Sequence, residues 1–192
     1  FFQLDIADES SVASVMSQVA DRFGGLTTLI NNAAPTAVVS QTIKPMAELS
    51  TEEWEAIITT GLTGSVFWCT KYAWPHLVEA DQATIVNMSS GAAMHGTPGL
   101  SAYAASKGGL NSATRVIAAE GQAVGIRCNA IIVGRVVSGR SDSGELLGDL
   151  AYIGNPMQIA TAALFLATEE SSFMNADLIT VDGGASMLGS GG

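Results

Sequence analysis

The residues from Ala83 to Lys107 read ATIVNMSSGAAMHGTPGLSAYAASK and divide into three parts. Ala83 to Ser89 is rich in apolar and β-branched residues and predicts a buried strand that ends in Ser89 and Ser90. A loop rich in Gly follows, and a helical pattern then runs from about Ser101 to Ala123. Because a buried strand followed by a long helix is the unit of a parallel α/β sheet, this stretch predicts the fold class.

Tyr103 and Lys107 stand four residues apart in the predicted helix and therefore share one of its faces. Free tyrosine titrates near pH ~10, and a neighbouring ammonium favours the phenolate, so the pair predicts a tyrosine with a lowered pKa. Such a tyrosine is suited to general acid or base catalysis. The same spacing also occurs in ordinary helices where Tyr packs and Lys forms a salt bridge, so the pair by itself does not identify a site.

Composition narrows the classes of function. The chain has 192 residues, 47% of them hydrophobic, and a net charge of -10 from 8 basic and 18 acidic residues. One domain over residues 1–188 with a disordered tail at 189–192 is therefore expected, and nucleic acid is not an expected partner. No apolar run is long enough to cross a membrane, so a cytoplasmic protein is expected. Cys69 and Cys128 lack metal-site spacing and are predicted to be buried thiols, with no metal bound.

Strand-like runs alternate with helical patterns along the chain. The predicted strands are Phe1 to Ile6, Thr28 to Asn32, Ala83 to Ser89, Ile126 to Val133 and Leu178 to Val181. The first predicted helix follows an Asp8 cap and ends at Phe23. The second begins at a capping box of Ser50 and Glu53 and ends at about Tyr72, with Pro75 just beyond it. The others run from Ser101 to Ala123 and from Met157 to Thr168, and Ala33 to Leu49 is predicted as a loop. This order predicts a Rossmann-like, doubly wound parallel sheet in three α/β/α layers.

Polar residues lie at the ends of the first four predicted strands. Asp5 ends the first strand, Asn31 and Asn32 end the second, Ser89 and Ser90 end the third, and Gly134 to Ser138 follow the fourth. In an open parallel sheet the carboxyl ends of the strands lie at one edge, where ligands bind, so these residues are expected to meet in one crevice.

These segments together resemble the short-chain dehydrogenase/reductase family. The resemblance rests on six segments in the family's order: Leu4-Asp-Ile6, Asn31-Asn-Ala-Ala34, Ile85-Val-Asn-Met-Ser-Ser90, Tyr103-Ala-Ala-Ser-Lys107, Cys128-Asn-Ala-Ile-Ile-Val-Gly134 and Asp182-Gly-Gly184. They extend over nearly the whole chain, and Ser90 has the family's spacing from Tyr103.

The resemblance implies an NAD- or NADP-dependent oxidoreductase acting on a small alcohol or carbonyl compound. Tyr103 would be the general acid or base, Ser90 would hold the reacting oxygen, and Lys107 would lower the pKa of the tyrosine and bind the nicotinamide ribose. Substrate contacts would come from Ser90, His95 and Tyr103. Cofactor contacts would come from Asp5, Ile6, Asn32, Ala33, Ala34, Tyr103, Lys107, Gly134, Val136 and Ser138.

The chain departs from the family pattern in three places. The glycine-rich turn that cradles pyrophosphate, Thr-Gly-x-x-x-Gly-x-Gly, is absent, and Phe1 to Ile6 resembles the family's third strand. A fragment of a longer protein, N-terminally truncated and with a gap in its sheet, is therefore expected. Gly61 stands where the family has a catalytic asparagine, and Val133 stands where it has proline. The residue that selects NAD or NADP follows a strand that this sequence lacks.

Two other functions are compatible with the sequence. An inactive relative that serves as a binding or assembly module would explain the missing glycine turn and Gly61. A serine hydrolase is disfavoured because Met88-Ser-Ser-Gly-Ala92 lacks the G-x-S-x-G elbow. By the same resemblance, the two long helices would pair across a two-fold axis to form a homodimer or homotetramer.

Overall fold

A parallel four-stranded sheet forms the centre of the molecule. A computed structural model describes residues 1–136 and 153–188. The strands are β1 (Thr28–Asn31), β2 (Ala83–Ser90), β3 (Ile126–Val133), β4 (Arg135–Val136), β5 (Ile153–Gly154) and β6 (Leu178–Val181). The central sheet has the order β1-β2-β3-β6 with every pair parallel, and β4 and β5 form a separate two-stranded parallel pair.

Helices cover both faces of this sheet. The helices are α1 (Glu9–Phe23), α2 (Thr36–Gln41), α3 (Thr51–Ile58), α4 (Cys69–Val78), α5 (Ser101–Gly121), α6 (Pro156–Ala167) and α7 (Ala185–Leu188), and a π-helical segment, Thr59–Trp68, joins α3 to α4. One apolar core lies between the sheet and α1, α4 and α5, and a second lies between the sheet and α6. The three-layer α/β/α prediction is confirmed.

Helix ends agree well with the predicted signals. Asp8 caps α1 by accepting from the Ser10 backbone N–H, and Gly24 ends that helix with a φ of 78°. A capping box between Ser50 and Glu53 opens α3. These local devices satisfy backbone groups that a helix end leaves unpaired, which is why sequence alone locates them.

The first predicted strand is wrong. Residues 1–5 are not in a strand, and the Asp5 N–H donates to the Ser11 side chain instead of to a neighbouring strand. A strand needs a partner beside it, and in the described chain β1, the edge strand, pairs with β2 alone. Ile6 is nevertheless buried, and its carbonyl oxygen lies so close to Gly64 that a Cβ there would be 1.6 Å away.

Two further boundaries differ from the prediction. The predicted loop Ala33 to Leu49 contains α2, whose β-branched residues disfavour helix locally but which packs against α3. The helix predicted to end near Tyr72 continues through Pro75 to Val78. Proline removes one backbone hydrogen bond, and complete burial of Ala73 and Leu77 on either side of it outweighs that loss.

The remaining boundaries lie within about two residues of the predicted ones, and both cysteines are buried as predicted. Burial raises the pKa of the Cys69 thiol to about 11 and that of Cys128 to about 12. Across residues 1–136 and 153–188, no helix combines the length and the apolarity needed to span a bilayer. The predicted tail at 189–192 lies outside the described residues, and the single-domain prediction for 1–188 stays a prediction.

Candidate active site

A cavity of about 840 Å³ opens at the carboxyl edge of the sheet. Its polar wall contains Asn32, Ser89, Ser90, Tyr103 and Lys107, which come from the residue after β1, from β2 and from α5. The sheet therefore gathers most of the predicted polar residues at one edge, as its topology requires.

Ser90 and Tyr103 lie in the same wall of the cavity. Ser90 is the last residue of β2, and its side chain acts to lower the pKa of the Tyr103 phenol. The Ser90 hydroxyl accepts from the Ala92 backbone N–H at 3.2 Å, which fixes its rotamer. The phenol and the serine hydroxyl are thus placed to contact one substrate oxygen together.

Lys107 is almost completely buried, with 2% of its surface exposed. Its Nζ donates to the carbonyl oxygen of Met88 at 2.7 Å and lies 5.8 Å from the centre of the Tyr103 ring. Because burial penalises the charged form, the pKa of Lys107 is lowered to about 8. An ammonium has three donors, and among residues 1–136 and 153–188 Lys107 Nζ bonds Met88 alone, which leaves two donors for a ligand.

The predicted effect of Lys107 on Tyr103 is not what the structure gives. Burial raises the pKa of Tyr103 above its ordinary value, and the Ser90 side chain only partly opposes that shift. The lysine cation is directed at the Met88 carbonyl and itself loses solvation. Tyr103 is therefore a neutral phenol at pH 7, in the state that donates a proton.

Gly61 lies in the π-helical segment, packed tightly against α5. Its carbonyl oxygen accepts from the Ser65 hydroxyl at 2.7 Å. A Cβ at this position would lie 3.0 Å from the Ser106 Oγ and 3.4 Å from the Pro35 Cδ. Glycine at the family's asparagine position therefore permits a close helix contact, and a side chain there would require Ser106 to shift by a few tenths of an ångström.

The other predicted cofactor residues separate into two groups. Asn32, Ala34, Gly134 and Val136 line the cavity. Asp5, Ile6 and Ala33 do not line it, and Ser138 lies outside the described residues.

His95 also lies away from this cavity. It borders a neighbouring groove with Lys44 and Gly99, and its Nε2 is 3.1 Å from the Ser186 hydroxyl. Its predicted contact with substrate is therefore not made from the wall of the main cavity.

One wall of the cavity was not predicted from the sequence. It consists of one face of α6: Pro156, Ile159, Ala160, Ala163, Leu164 and Ala167. The three-and-four spacing of these residues is visible in the sequence, but spacing alone does not tell which ligand or layer the face meets.

A second unpredicted feature is a buried chain of hydrogen bonds from Asn31 to Asn87 at 2.8 Å and from Asn87 to Thr114 at 2.9 Å, which ties β1 to β2 and to α5.

Ser89 gives a test of whether a nicotinamide cofactor suits the site. Its side chain lines the cavity and is 4% exposed, and within residues 1–136 and 153–188 its hydroxyl has no hydrogen-bond partner. A buried hydroxyl without a partner costs about 1 to 3 kcal/mol, which a polar ligand atom would offset. Together with the two free donors of Lys107, it fits the polar nicotinamide and ribose end of NAD(P).

Comparison with known proteins gives consistent matches along nearly the whole chain. A family model described as enoyl-(acyl carrier protein) reductase matches residues 1–186. A probable 2,4-dienoyl-CoA reductase of Bacillus subtilis is 34% identical, covering 95% of this chain and 75% of the relative. Cis-4-hydroxycyclohexanecarboxylate dehydrogenase of Sinomonas cyclohexanicum is 35% identical over 94% of this chain and 74% of its own length. Among solved structures, ElxO with NADP bound superposes with a TM-score of 0.83 at 29% identity, covering 96% of this chain and 77% of that one.

Proposed function

Because this chain belongs to the short-chain dehydrogenase/reductase family of oxidoreductases, we propose that it interconverts an alcohol and a carbonyl compound with NAD or NADP. The observation that carries the proposal is that Ser90, Tyr103 and Lys107 lie in one wall of the cavity. The resemblance to the family implies that these residues serve in oxygen binding, in proton transfer and in binding the ribose.

In the proposed reaction a bound NAD(P)H supplies the hydride to the carbonyl carbon, or NAD(P)⁺ accepts it in the reverse direction. Tyr103 donates its phenolic proton to the carbonyl oxygen as that oxygen becomes a hydroxyl, and takes a proton back from solvent. Ser90 donates a hydrogen bond to the same oxygen and stabilises the charge that develops on it. In oxidation each proton moves the other way.

Burial tunes the two titrating residues toward reduction. The raised pKa of Tyr103 keeps its proton available at pH 7. Lys107, with a pKa of about 8, is mostly cationic at that pH and keeps its donors for a bound ligand. We propose that one of its remaining N–H groups binds the nicotinamide ribose.

The cavity favours an apolar substrate. Apart from the polar residues at the sheet edge, its lining is aliphatic, and α6 contributes a continuous apolar face. This lining supports a ketone or alcohol with a hydrocarbon body, oriented by Ser90 and Tyr103. His95, outside the cavity wall, is proposed to contact only a substrate that extends beyond it.

Assembly as a homodimer or homotetramer is part of the proposal. A groove of about 580 Å³ lies between the π-helical segment and α5, and Phe67 and Val116 beside it are 57% and 56% exposed. Burial of this apolar face against a second copy would remove it from water. Light scattering should give at least a dimer, and Val116→Glu should reduce the mass; a monomer for the unaltered protein would contradict this part. A cytoplasmic location stays a prediction.

The experiment is to compare Tyr103→Phe with the unaltered chain, using NADH or NADPH and a panel of ketones. Loss of the proton donor should lower turnover about 10²- to 10⁴-fold, while cofactor fluorescence still reports binding. Tyr72→Phe is the matched control, since Tyr72 donates to Glu9 outside the cavity. Equal turnover by Tyr103→Phe and the unaltered chain would refute the proposal.

The same experiment separates the alternatives. Saturable cofactor binding with no turnover of any carbonyl compound by the unaltered chain would favour a binding or assembly module. A fluorophosphonate label on Ser90 would favour a hydrolase.

A further inference from the structure

Gly134 and Asp182 are in direct backbone contact. The Gly134 N–H donates to the carbonyl oxygen of Val181 at 3.0 Å. A Cβ on Gly134 would lie 2.5 Å from the Cβ and 2.6 Å from the Cα of Asp182, distances that real Cβ atoms do not adopt. The turn after β3, which lines the cavity, is therefore set against the residue that follows β6.

The Asp182 carboxylate organises the segment that follows it. One oxygen accepts from the Gly184 N–H at 2.8 Å and the other from the Ser186 N–H at 2.7 Å. The Ser186 side chain, as the largest cause, and then the backbone N–H groups of Ser186 and Gly184 lower the pKa of Asp182, so the carboxylate is ionised at neutral pH. Both oxygens are thus used to hold the start of α7.

Ser186 then reaches the loop that follows Ser90. Its hydroxyl is 3.1 Å from the His95 Nε2, and the His95 N–H donates to the carbonyl oxygen of Gly91 at 3.1 Å. A Cβ on Gly91 would be 3.8 Å from the Val133 carbonyl oxygen, so the start of this loop lies beside the residue that precedes Gly134. The contacts form a closed ring: Gly134, Asp182, Ser186, His95, Gly91 and Val133.

We propose that Asp182 is a positioning residue that fixes the Gly134 turn relative to the Ser90 loop. It does so by accepting from the Gly184 and Ser186 N–H groups, which holds Ser186 within hydrogen-bond distance of His95. The contacts described above support the coupling between the Gly134 turn and the Ser90 loop. The effect of this coupling on the cofactor rests on the proposed function. With the carboxylate removed, the Gly184 and Ser186 N–H groups lose their acceptors, His95 loses its partner, and the nicotinamide side of the cavity is no longer held in one geometry.

A purely local role for Asp182, as a cap for the four-residue α7, predicts something different. A cap would affect residues 184–188 alone, whereas the ring requires effects at Gly134 and at His95. Substitution of Asp182 would therefore affect residues 184–188 alone if it is only a cap, and would also affect Gly134 and His95 if it is a positioning residue.

The experiment measures amide hydrogen exchange by NMR in Asp182→Ala, Asp182→Asn and Ser186→Ala. The Gly134 and His95 amides should exchange about tenfold faster in Asp182→Ala, since a free-energy change of ~1.4 kcal/mol in local opening has that effect. Asp182→Asn, which keeps one acceptor oxygen, should lie between. Ser186→Ala removes the hydroxyl but keeps the N–H bond to Asp182, so it should accelerate the His95 amide and, because the coupling runs through the contact between Ser186 and His95, accelerate the Gly134 amide less than Asp182→Ala does. Asp21→Ala, on the exposed surface of α1, is the charge-matched control.

Faster exchange confined to residues 184–188 in Asp182→Ala would overturn the proposal. Cofactor binding is measured separately by fluorescence titration with NADH and NADPH, in which Asp182→Ala should weaken binding about tenfold. If the unaltered chain binds neither cofactor, the proposed function fails while the exchange data still decide the coupling. If it binds and Asp182→Ala leaves the affinity unchanged, the positioning role toward the cofactor is refuted.

Discussion

Lys107 is anchored to Met88 by a hydrogen bond of 2.7 Å from its Nζ to the main-chain carbonyl oxygen. This bond connects α5 to the end of β2, one residue before Ser89. It also explains how a lysine can be 98% buried, because one donor is satisfied where water is excluded. Burial lowers the pKa of this lysine to about 8, and that shift has a measurable effect on stability.

The free energy of unfolding should depend on pH through Lys107. Its folded pKa lies below the ordinary value of 10.5, so the cost of burying its charge is fully present below pH 8 and is relieved as the pH rises toward 10.5. Relative to Lys107→Met, the unaltered protein should gain about 3 kcal/mol between pH 7 and pH 10.5, measured by urea unfolding. A difference that does not change with pH would contradict this account.

Lys71 is the control for the sign of that effect. It is exposed and paired with Glu9 at 2.8 Å, and the hydrogen bond to Glu9 raises its pKa. The stability that this ion pair contributes is fully present below the pKa that Lys71 has in the unfolded chain. It is lost as the pH rises through the higher pKa that Lys71 has in the folded protein. Relative to Lys71→Met, the unaltered protein should therefore lose stability in alkaline solution, opposite in sign to the Lys107 comparison.

Gly64→Ala should strongly destabilise the protein. The new methyl group would lie 1.6 Å from the Ile6 carbonyl oxygen, so the backbone of residues 1–6 must move away from the π-helical segment. Overpacking of this kind costs about 1 to 3 kcal/mol or more, and urea unfolding measures it.

Gly108→Ala is the matched glycine. It lies inside α5, and a Cβ there would meet no atom within 4 Å. Helix propensity alone predicts a gain of about 1 kcal/mol. Similar effects of the two alanines would show that the contact between Gly64 and Ile6 does not exist in solution.

Arg127→Met should lower the free energy of unfolding by about 2 to 4 kcal/mol. The guanidinium bonds the carbonyl oxygens of Leu166, Thr168 and Met174 and the Ser171 hydroxyl, so it joins β3 to the turn after α6. Its removal breaks four hydrogen bonds of a charged donor at once, while the three carbonyl oxygens keep bonds from Thr84, Ser171 and Asn129.

Arg115→Met provides the comparison for Arg127. Arg115 is exposed on α5, and its loss should change stability by less than about 0.5 kcal/mol. An equal, small effect at both positions in thermal or urea unfolding would refute a structural role for Arg127.

Thr114→Val tests the buried chain of hydrogen bonds. The Thr114 hydroxyl accepts from Asn87 and donates to the Leu110 carbonyl oxygen, and both side chains are fully buried. Valine keeps the shape but leaves the Asn87 amide without its oxygen partner, at a cost of about 1 to 3 kcal/mol.

Thr161→Val isolates the contribution of the network. Thr161 makes the same bond to a carbonyl oxygen four residues earlier, on the exposed surface of α6. Its replacement should change stability by less than about 0.5 kcal/mol. Unfolding curves that shift equally for both variants would show that the bond to Asn87 contributes nothing.

Much of the fold was readable from local signals. Asp8, Gly24 and the capping box at Ser50 act within one turn of chain, so their positions predict helix ends directly. The apolar runs that became β2 and β3 are buried on both faces, as central parallel strands must be. Where a boundary depended on a distant partner, as at residues 1–5 and Pro75, local pattern failed.

In the candidate site too, some properties follow from local sequence and others depend on residues that are distant in the chain. The sequence by itself placed Ser90, Tyr103 and Lys107 at a strand end and on one helix face, because strand order and helical period fix those relations. Only the tertiary structure decided that Lys107 turns to the Met88 carbonyl, that the pKa of Tyr103 rises, and that Gly61 packs on Ser106. Burial and hydrogen-bond partners set those properties, and both come from residues far apart in the chain.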